Sequence, residues 1–231
     1  MLPRALMEWQ AAALFRHDAA GRLLSVNELG DPPAPRLFVG RTAEGNLWRF
    51  RYDLPPELMH VLDGLLAAEP IAADLRQPLG CAERLREALA AHAPIAATYA
   101  GPAWWCPEGI ASPRAIPTTR LADAATARRT FPWLAEELAD RQPCVAVLEA
   151  GEVVGICFSA RLSPVAAEAG VATLEAYRRR GYAAATVAAW ARAVRAIGRM
   201  PLYSTSWDND ASQGVAKSLG LVLYGADLSF V

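Results

Sequence analysis

Six consecutive residues, Arg178, Arg179, Arg180, Gly181, Tyr182 and Ala183, have the types and spacing to hold a phosphate group. The apolar residues after them repeat at helical spacing, so the run sits at a helix N-terminus. There the first backbone N–H groups have no partner within the helix, and the summed dipole favours negative charge. Gly181 and Ala183 are small enough to let phosphates approach the main chain. Three arginines could merely solvate a helix start, but cations at that end oppose the dipole at about a few tenths of a kcal/mol each. An anion site accounts for them better.

The elements around this run must position it. A helix is predicted over residues 179–197, with Ala183, Val187, Ala191, Val194 and Ile197 as its apolar stripe. Arg192, Arg195 and Arg199 face away from that stripe or cap the end, and Gly198 and Pro201 stop the helix. Upstream, a helical stretch at residues 121–140, broken near Pro132, leads into a hairpin. Val145 and Val147 form its first strand, Ala150 and Gly151 its turn, and residues 153–159 its second, with Gly155 lacking a side chain in mid-strand. A third strand is expected over residues 166–173. Downstream lie a strand at 202–206, a short helix at 210–219 and a closing strand at 221–230.

The register of the phosphate run resembles the acetyl-coenzyme A motif of the GCN5-related N-acetyltransferases (GNAT): Gln or Arg, two residues, Gly, one residue, Gly or Ala. Arg178, Gly181 and Ala183 match it. That family follows its long helix with a strand, an asparagine, a short helix, and then a glycine and an apolar residue, as Asn209, Gly220 and Leu221 do here. The resemblance covers roughly residues 112–231. It implies an α/β (α+β) fold in which a mixed, mostly antiparallel twisted sheet is flanked by helices. The function it implies is transfer of an acetyl group from acetyl-CoA (coenzyme A) to a primary amine, directly, in a ternary complex.

The same resemblance assigns roles. The strand holding Val171 and Thr173 would part from the next strand, so that their backbone groups pair with the pantetheine arm as another strand would. Main-chain N–H groups of Arg180, Gly181, Tyr182 and Ala183 would hold the pyrophosphate, with Arg178 and Arg179 beside them. Glu168, on that same strand, is the candidate base that takes the proton of the amine. Ser212 could touch the pantetheine or phosphate chain, and Asn209 either contacts the cofactor or caps its helix. One departure stands out: many relatives carry a tyrosine seven residues after the asparagine, where this chain has Ala216. Tyr203, Ser212 or solvent must then protonate the departing thiolate, or the domain only senses acyl-CoA without turning it over.

Composition bounds the rest. The chain has 231 residues, 53% of them hydrophobic, enough for one large core or two modest ones. A formal charge of −1 gives no global field to attract nucleic acid or an acidic membrane. The three arginines lack the aromatic interleaving of a nucleic-acid surface. The first fifteen residues mix Arg4, Glu8 and Gln10 among apolar ones, so neither a signal peptide nor a membrane span is read there, and a cytoplasmic location is the default. No Gly-Lys-Ser or Gly-Lys-Thr occurs, and Lys217 with Ser218 falls inside a helix, which argues against a P-loop enzyme. Cys81, Cys106, Cys144 and Cys157, like His17, His60 and His92, are too scattered for a zinc site, and the thiols read as buried apolar groups.

Proline, glycine and tryptophan cluster at residues 94–117, where two runs of different character meet. The expected division is therefore a smaller α+β region of unknown role at 1–100 and an acetyl-CoA-binding catalytic domain at 101–231. In the leading region, strands are predicted at 36–40 and 46–52, then helices carrying Leu58, Val61, Leu62, Leu65 and Leu66, and Leu85 with Leu89. The acceptor amine, small molecule or peptide, leaves no mark on the sequence, and a homodimer is compatible with it.

Overall fold

The computed structural model describes residues 2–231. It begins with α1 (Pro3–Leu14), the short strands β1 (Phe15–His17) and β2 (Leu23–Val26), the hairpin β3 (Leu37–Thr42) and β4 (Gly45–Phe50), and helices α2 (Pro56–Ala67) and α3 (Ala82–His92). Then come β5 (Thr98–Trp105), β6 (Thr119–Arg120), α4 (Ala124–Arg128), α5 (Pro132–Glu137), β7 (Cys144–Glu149), β8 (Glu152–Leu162) and β9 (Ala166–Thr173). The remaining elements are α6 (Tyr182–Ala196), β10 (Met200–Ser204), α7 (Asp210–Ser218) and β11 (Val222–Phe230). Among the described residues no helix is long and apolar enough to cross a membrane.

The chain forms two compact units. The first comprises the residues up to Ala103 together with Ser204–Asp208 and Leu223–Val231; the second comprises Trp104–Tyr203 and Asn209–Val222. The first division falls inside β5, within the segment whose prolines and glycine suggested a boundary. Gly101 has no side chain because a Cβ there would collide with the carbonyl of Thr205. What reads in sequence as a chain breaker is a close backbone approach within a strand.

In the first unit β3 pairs antiparallel with β4 on one side and with β11 on the other. Leu37, Val39 and Phe230 pack with Leu62 and Leu66 of α2 and Leu85 and Leu89 of α3 in one buried cluster. Met7 of α1 lies against Gly40 and Gly225, where any Cβ would run into its side chain. Helix α1 carries Pro3 in its first turn, where a missing N–H costs nothing. Arg36, 3% exposed, serves the end of α3: Nη1 donates to the carbonyls of Leu89 and Ala93, each at 2.9 Å, and Nη2 to that of Pro94 at 3.0 Å. The Leu89 carbonyl also accepts the Ala93 amide at 3.0 Å, whereas the carbonyls of Ala93 and Pro94 lie past the helix end.

In the second unit β7 runs antiparallel to β6 and β8, and β8 antiparallel to β9. Only β10 breaks the pattern, joining β9 in parallel. One cluster gathers Val187, Trp190 and Val194 of α6 with Ala216 of α7 and Leu219 just past its end over Cys157 and Ala167. A second packs Phe131 and Leu134 around Ile156 and Phe158. Trp190, absent from the predicted stripe, is fully buried and its indole N–H donates to Ser159 Oγ at 3.2 Å. Ile197 is 43% exposed, because the helix has already ended. Arg195, expected to face away, is half-buried and donates to the carbonyl of Cys106.

Replacing Arg36 with alanine should take the guanidinium donors from the Leu89, Ala93 and Pro94 carbonyls at once. The expected cost is about 2 to 4 kcal/mol, read as a lower urea midpoint. Arg36→Lys should recover only part, since one ammonium cannot reproduce the fork of the guanidinium.

Candidate functional site

The parallel pair β9 and β10 holds together over only Met200↔Ala166, Pro201↔Ala167 and Leu202↔Glu168. Beyond Glu168, β9 stays paired to β8 as far as Thr173↔Gly155, but β10 has left its other edge. Parting strands free a row of main-chain donors and acceptors, and a cavity of about 930 Å³ opens beside them within the second unit.

Val171 and Thr173 line this cavity from β9, and Arg178, Arg179, Gly181, Tyr182 and Ala183 line it from the start of α6. Tyr203 enters from β10, and Asn209 and Ser212 from the start of α7. The structure thus gathers nine of the ten candidate binding residues around one space. Arg180 is the exception. Its guanidinium lies 4.8 Å from the centre of the Tyr177 ring and Nη2 donates to the Ala176 carbonyl at 3.1 Å, and the residue is not part of the cavity lining.

The helix begins three residues later than predicted, at Tyr182. Arg178 is extended, Arg179 has φ +61°, and Gly181 is left-handed at φ +91°. The arginines therefore form a curled approach loop with two left-handed residues, Arg179 and Gly181, of which Gly181 alone has no Cβ to crowd. The first hydrogen bond inside α6 runs from the Ala185 amide to the Gly181 carbonyl at 3.1 Å. The amides of Tyr182, Ala183 and Ala184 precede it, and all three residues line the cavity. Arg178 and Arg179 add positive charge to the same wall. A bound phosphate would meet donors and cations together.

Asn209 Oδ1 accepts the Ser212 amide at 3.0 Å, so it caps α7 and borders the cavity at once. The hydroxyls of Tyr203 and Ser212 lie 2.7 Å apart. Burial pushes the Tyr203 phenol up to about 12, against the opposing pull of Ser212, which keeps its proton in place across the working range of pH. Ala216 is fully buried among apolar neighbours and cannot serve in the place of the missing tyrosine. Tyr182 is anchored through its hydroxyl to Glu149, and that bond raises its pKa.

Glu168 stands at the last paired position before the strands part, opposite Arg161 on β8 and Leu202 on β10. It is 2% exposed and does not line the cavity. All four cysteines are free and buried, and burial raises Cys81, Cys106 and Cys144 to about 12 and Cys157 further upward, so none offers a ready thiolate. Among the described residues no group of three or more His, Cys, Asp or Glu side chains could hold a metal ion.

Besides Ala172, Tyr177 and Ala184, which neighbour the candidates, sequence reasoning missed two stretches of the wall. Ala211, Gly214, Val215 and Ser218 present one face of α7, a pattern that the three- and four-residue spacing after Asn209 could have revealed. Ser112, Pro113 and Arg114 approach from a loop far upstream, and nothing in their spacing signals it.

Residues 139–226 match a family model described as GNAT acetyltransferase. Among solved structures, an acetyltransferase from the GNAT family from Colwellia psychrerythraea aligns with a TM-score of 0.50 and 13% identity over 83% of this chain and 80% of that one. A GCN5-related N-acetyltransferase-like protein from Streptococcus suis gives 0.49 and 15% over 86% and 85%. A putative GNAT-family acetyltransferase from Novosphingobium aromaticivorans gives 0.46 and 16% over 59% of this chain, which spans just under two thirds of that protein, 66%. At such identities the likeness is one of fold. No curated protein matches this sequence.

A Cβ on Gly181 would sit 3.1 Å from Arg114 Cδ and force an L-residue into the left-handed region, at a cost of about 1 to 2 kcal/mol. Gly181→Ala should weaken coenzyme A binding, and Gly181→Glu, which adds negative charge at the helix start, should abolish it. Isothermal titration reads both, and an unchanged far-UV circular dichroism spectrum shows that the fold persists. Undiminished binding by Gly181→Glu would separate the helix start from anion recognition.

Proposed function

We propose, on the premise that residues 139–226 form a GNAT acetyltransferase domain, that this protein moves an acetyl group from acetyl-CoA to a primary amine by direct transfer in a ternary complex. Family and fold support acyl transfer in general; the acetyl donor, the amine and the direct route are our reading. One observation carries it: a single cavity joins the freed edge of β9 to the unpartnered first turn of α6 and is flanked by cations. That order of groups, strand edge and then phosphate cradle, is the order of pantetheine and pyrophosphate along coenzyme A.

In this reading the backbone of Val171 and Thr173 receives pantetheine as an added strand, and the amides of Tyr182, Ala183 and Ala184, with Arg178 and Arg179, receive the pyrophosphate. Acetyl-CoA supplies the acyl group already activated as a thioester. Glu168 is the proposed base. Lying buried where the strands part, it would take the proton of the amine through an intervening water. Tyr203, hydrogen-bonded to Ser212 at the cavity wall, is the proposed donor to the departing sulfur. The loops of the second unit that border the cavity are the proposed source of acceptor selectivity.

Acetyl-CoA at about 100 times its dissociation constant should stabilise the fold by about 2.7 kcal/mol, visible as a higher melting temperature, whereas ATP should leave it unchanged. Release of free thiol in the presence of a panel of primary amines then separates enzyme from sensor. Binding without release from any amine would favour a non-catalytic acyl-CoA-binding module, the alternative that Ala216 suggests. Glu168→Gln and Tyr203→Phe should each lower kcat by about a hundredfold or more while cofactor affinity holds. A loss of affinity with kcat intact would remove either residue from its assigned role.

A further inference from the structure

The diphosphate reading leaves one cation in the cavity without a task. Arg114 belongs to the segment between β5 and β6, and Ser112, Pro113 and Arg114 of that segment line the cavity. The segment is strapped onto the approach loop of α6. Arg114 Nη1 donates to the Arg180 carbonyl at 3.1 Å, and the Arg114 amide donates to Ser112 Oγ at 3.3 Å. Its Cδ lies so close to Gly181 that a Cβ there would sit 3.1 Å away and the arginine stem would have to give. The guanidinium is therefore held at the cavity by its own stem, with most of its five N–H donors uncommitted to that one bond.

Charge arithmetic decides what it awaits. The described lining residues include Arg114, Arg178 and Arg179 and no carboxylate. A diphosphate in a diester-like linkage carries about two negative charges, which Arg178, Arg179 and the first-turn amides already answer. A third guanidinium, brought in by a separate segment and unneutralised at its own wall, calls for further negative charge on the same ligand. Coenzyme A carries that charge as the 3′-phosphate of its ribose. Arginine suits such a group because its fork can give two donors to one phosphate.

We propose that Arg114 binds the ribose 3′-phosphate and makes the pocket selective for coenzyme A over its 3′-dephospho form; this rests on the reading of the cavity as a coenzyme A thioester site. The strap then selects the cofactor, while the α6 amides hold the part that both forms share. Because Arg114 is exposed, the preference weakens as salt rises.

Isothermal titration of the intact protein with coenzyme A and with 3′-dephospho-coenzyme A, at fixed ionic strength, tests the assignment. The wild type should prefer coenzyme A by about tenfold or more, equivalent to about 1.4 kcal/mol. Arg114→Gln should remove the preference by weakening coenzyme A alone, and Arg114→Lys should restore part of it. Equal affinity of the wild type for both forms, or an equal loss for both in Arg114→Gln, would overturn the assignment and leave the cofactor pocket standing. Failure of the wild type to bind either form would instead bring down the cofactor reading, and this inference with it.

Discussion

The site depends on the point where two parallel strands stop pairing. Through Leu202 and Glu168 the strands β9 and β10 share hydrogen bonds as any sheet does; one residue later they do not. A main-chain amide or carbonyl left without a partner away from water is costly, so such a gap persists only where something answers it. Here the freed edge faces open space bounded by α6 and α7, and an extended ligand can complete the ladder that β10 abandons. Glu168 marks the apex of the opening.

Everything else around the cavity reinforces that divergence. The hydrophobic cluster under α6 fixes the helix against Cys157 and Ala167, which aims its first turn at the gap. Gly181, left-handed at the N-cap, ends the approach loop, so the arginines precede the first turn of α6 and do not lie within it. Asn209 does the equivalent task for α7 by capping it with a side chain.

Much of the second unit was legible because its signals are local. The hairpin, β9 and α7 fall within a residue or two of expectation at most of their ends, since apolar alternation, a glycine turn and an asparagine cap each act over a few positions. What escaped depends on distant partners. Gly101 and Pro102 lie in a strand although both residue types signal a break, because the glycine is needed for backbone proximity to Thr205. Trp190, three residues after Val187 and four before Val194, keeps the spacing of the stripe although it is not counted in it, and it fills the core beside Ser159. Arg114 reaches the site only through the fold of a loop, and exposed loop residues carry no periodicity. The burial of Glu168 was equally unreadable, since a strand glutamate gives no sign of how far the neighbouring layer covers it.

The pairing of β11 with β3 reaches past these matters to how the polypeptide comes together. Phe230 sits opposite Leu37 and Gly225 opposite Thr42, so the sheet of the first unit is assembled from segments separated by most of the chain. Closing so long a loop is slow and entropically costly. During synthesis, the other edge of β3 therefore stays uncovered until the whole second unit has been made and β11, which follows it, threads back, an interval in which the growing chain exposes a sticky sheet margin. A cut near residue 100 would make that exposure permanent, for the front piece would lack the strand that seals it.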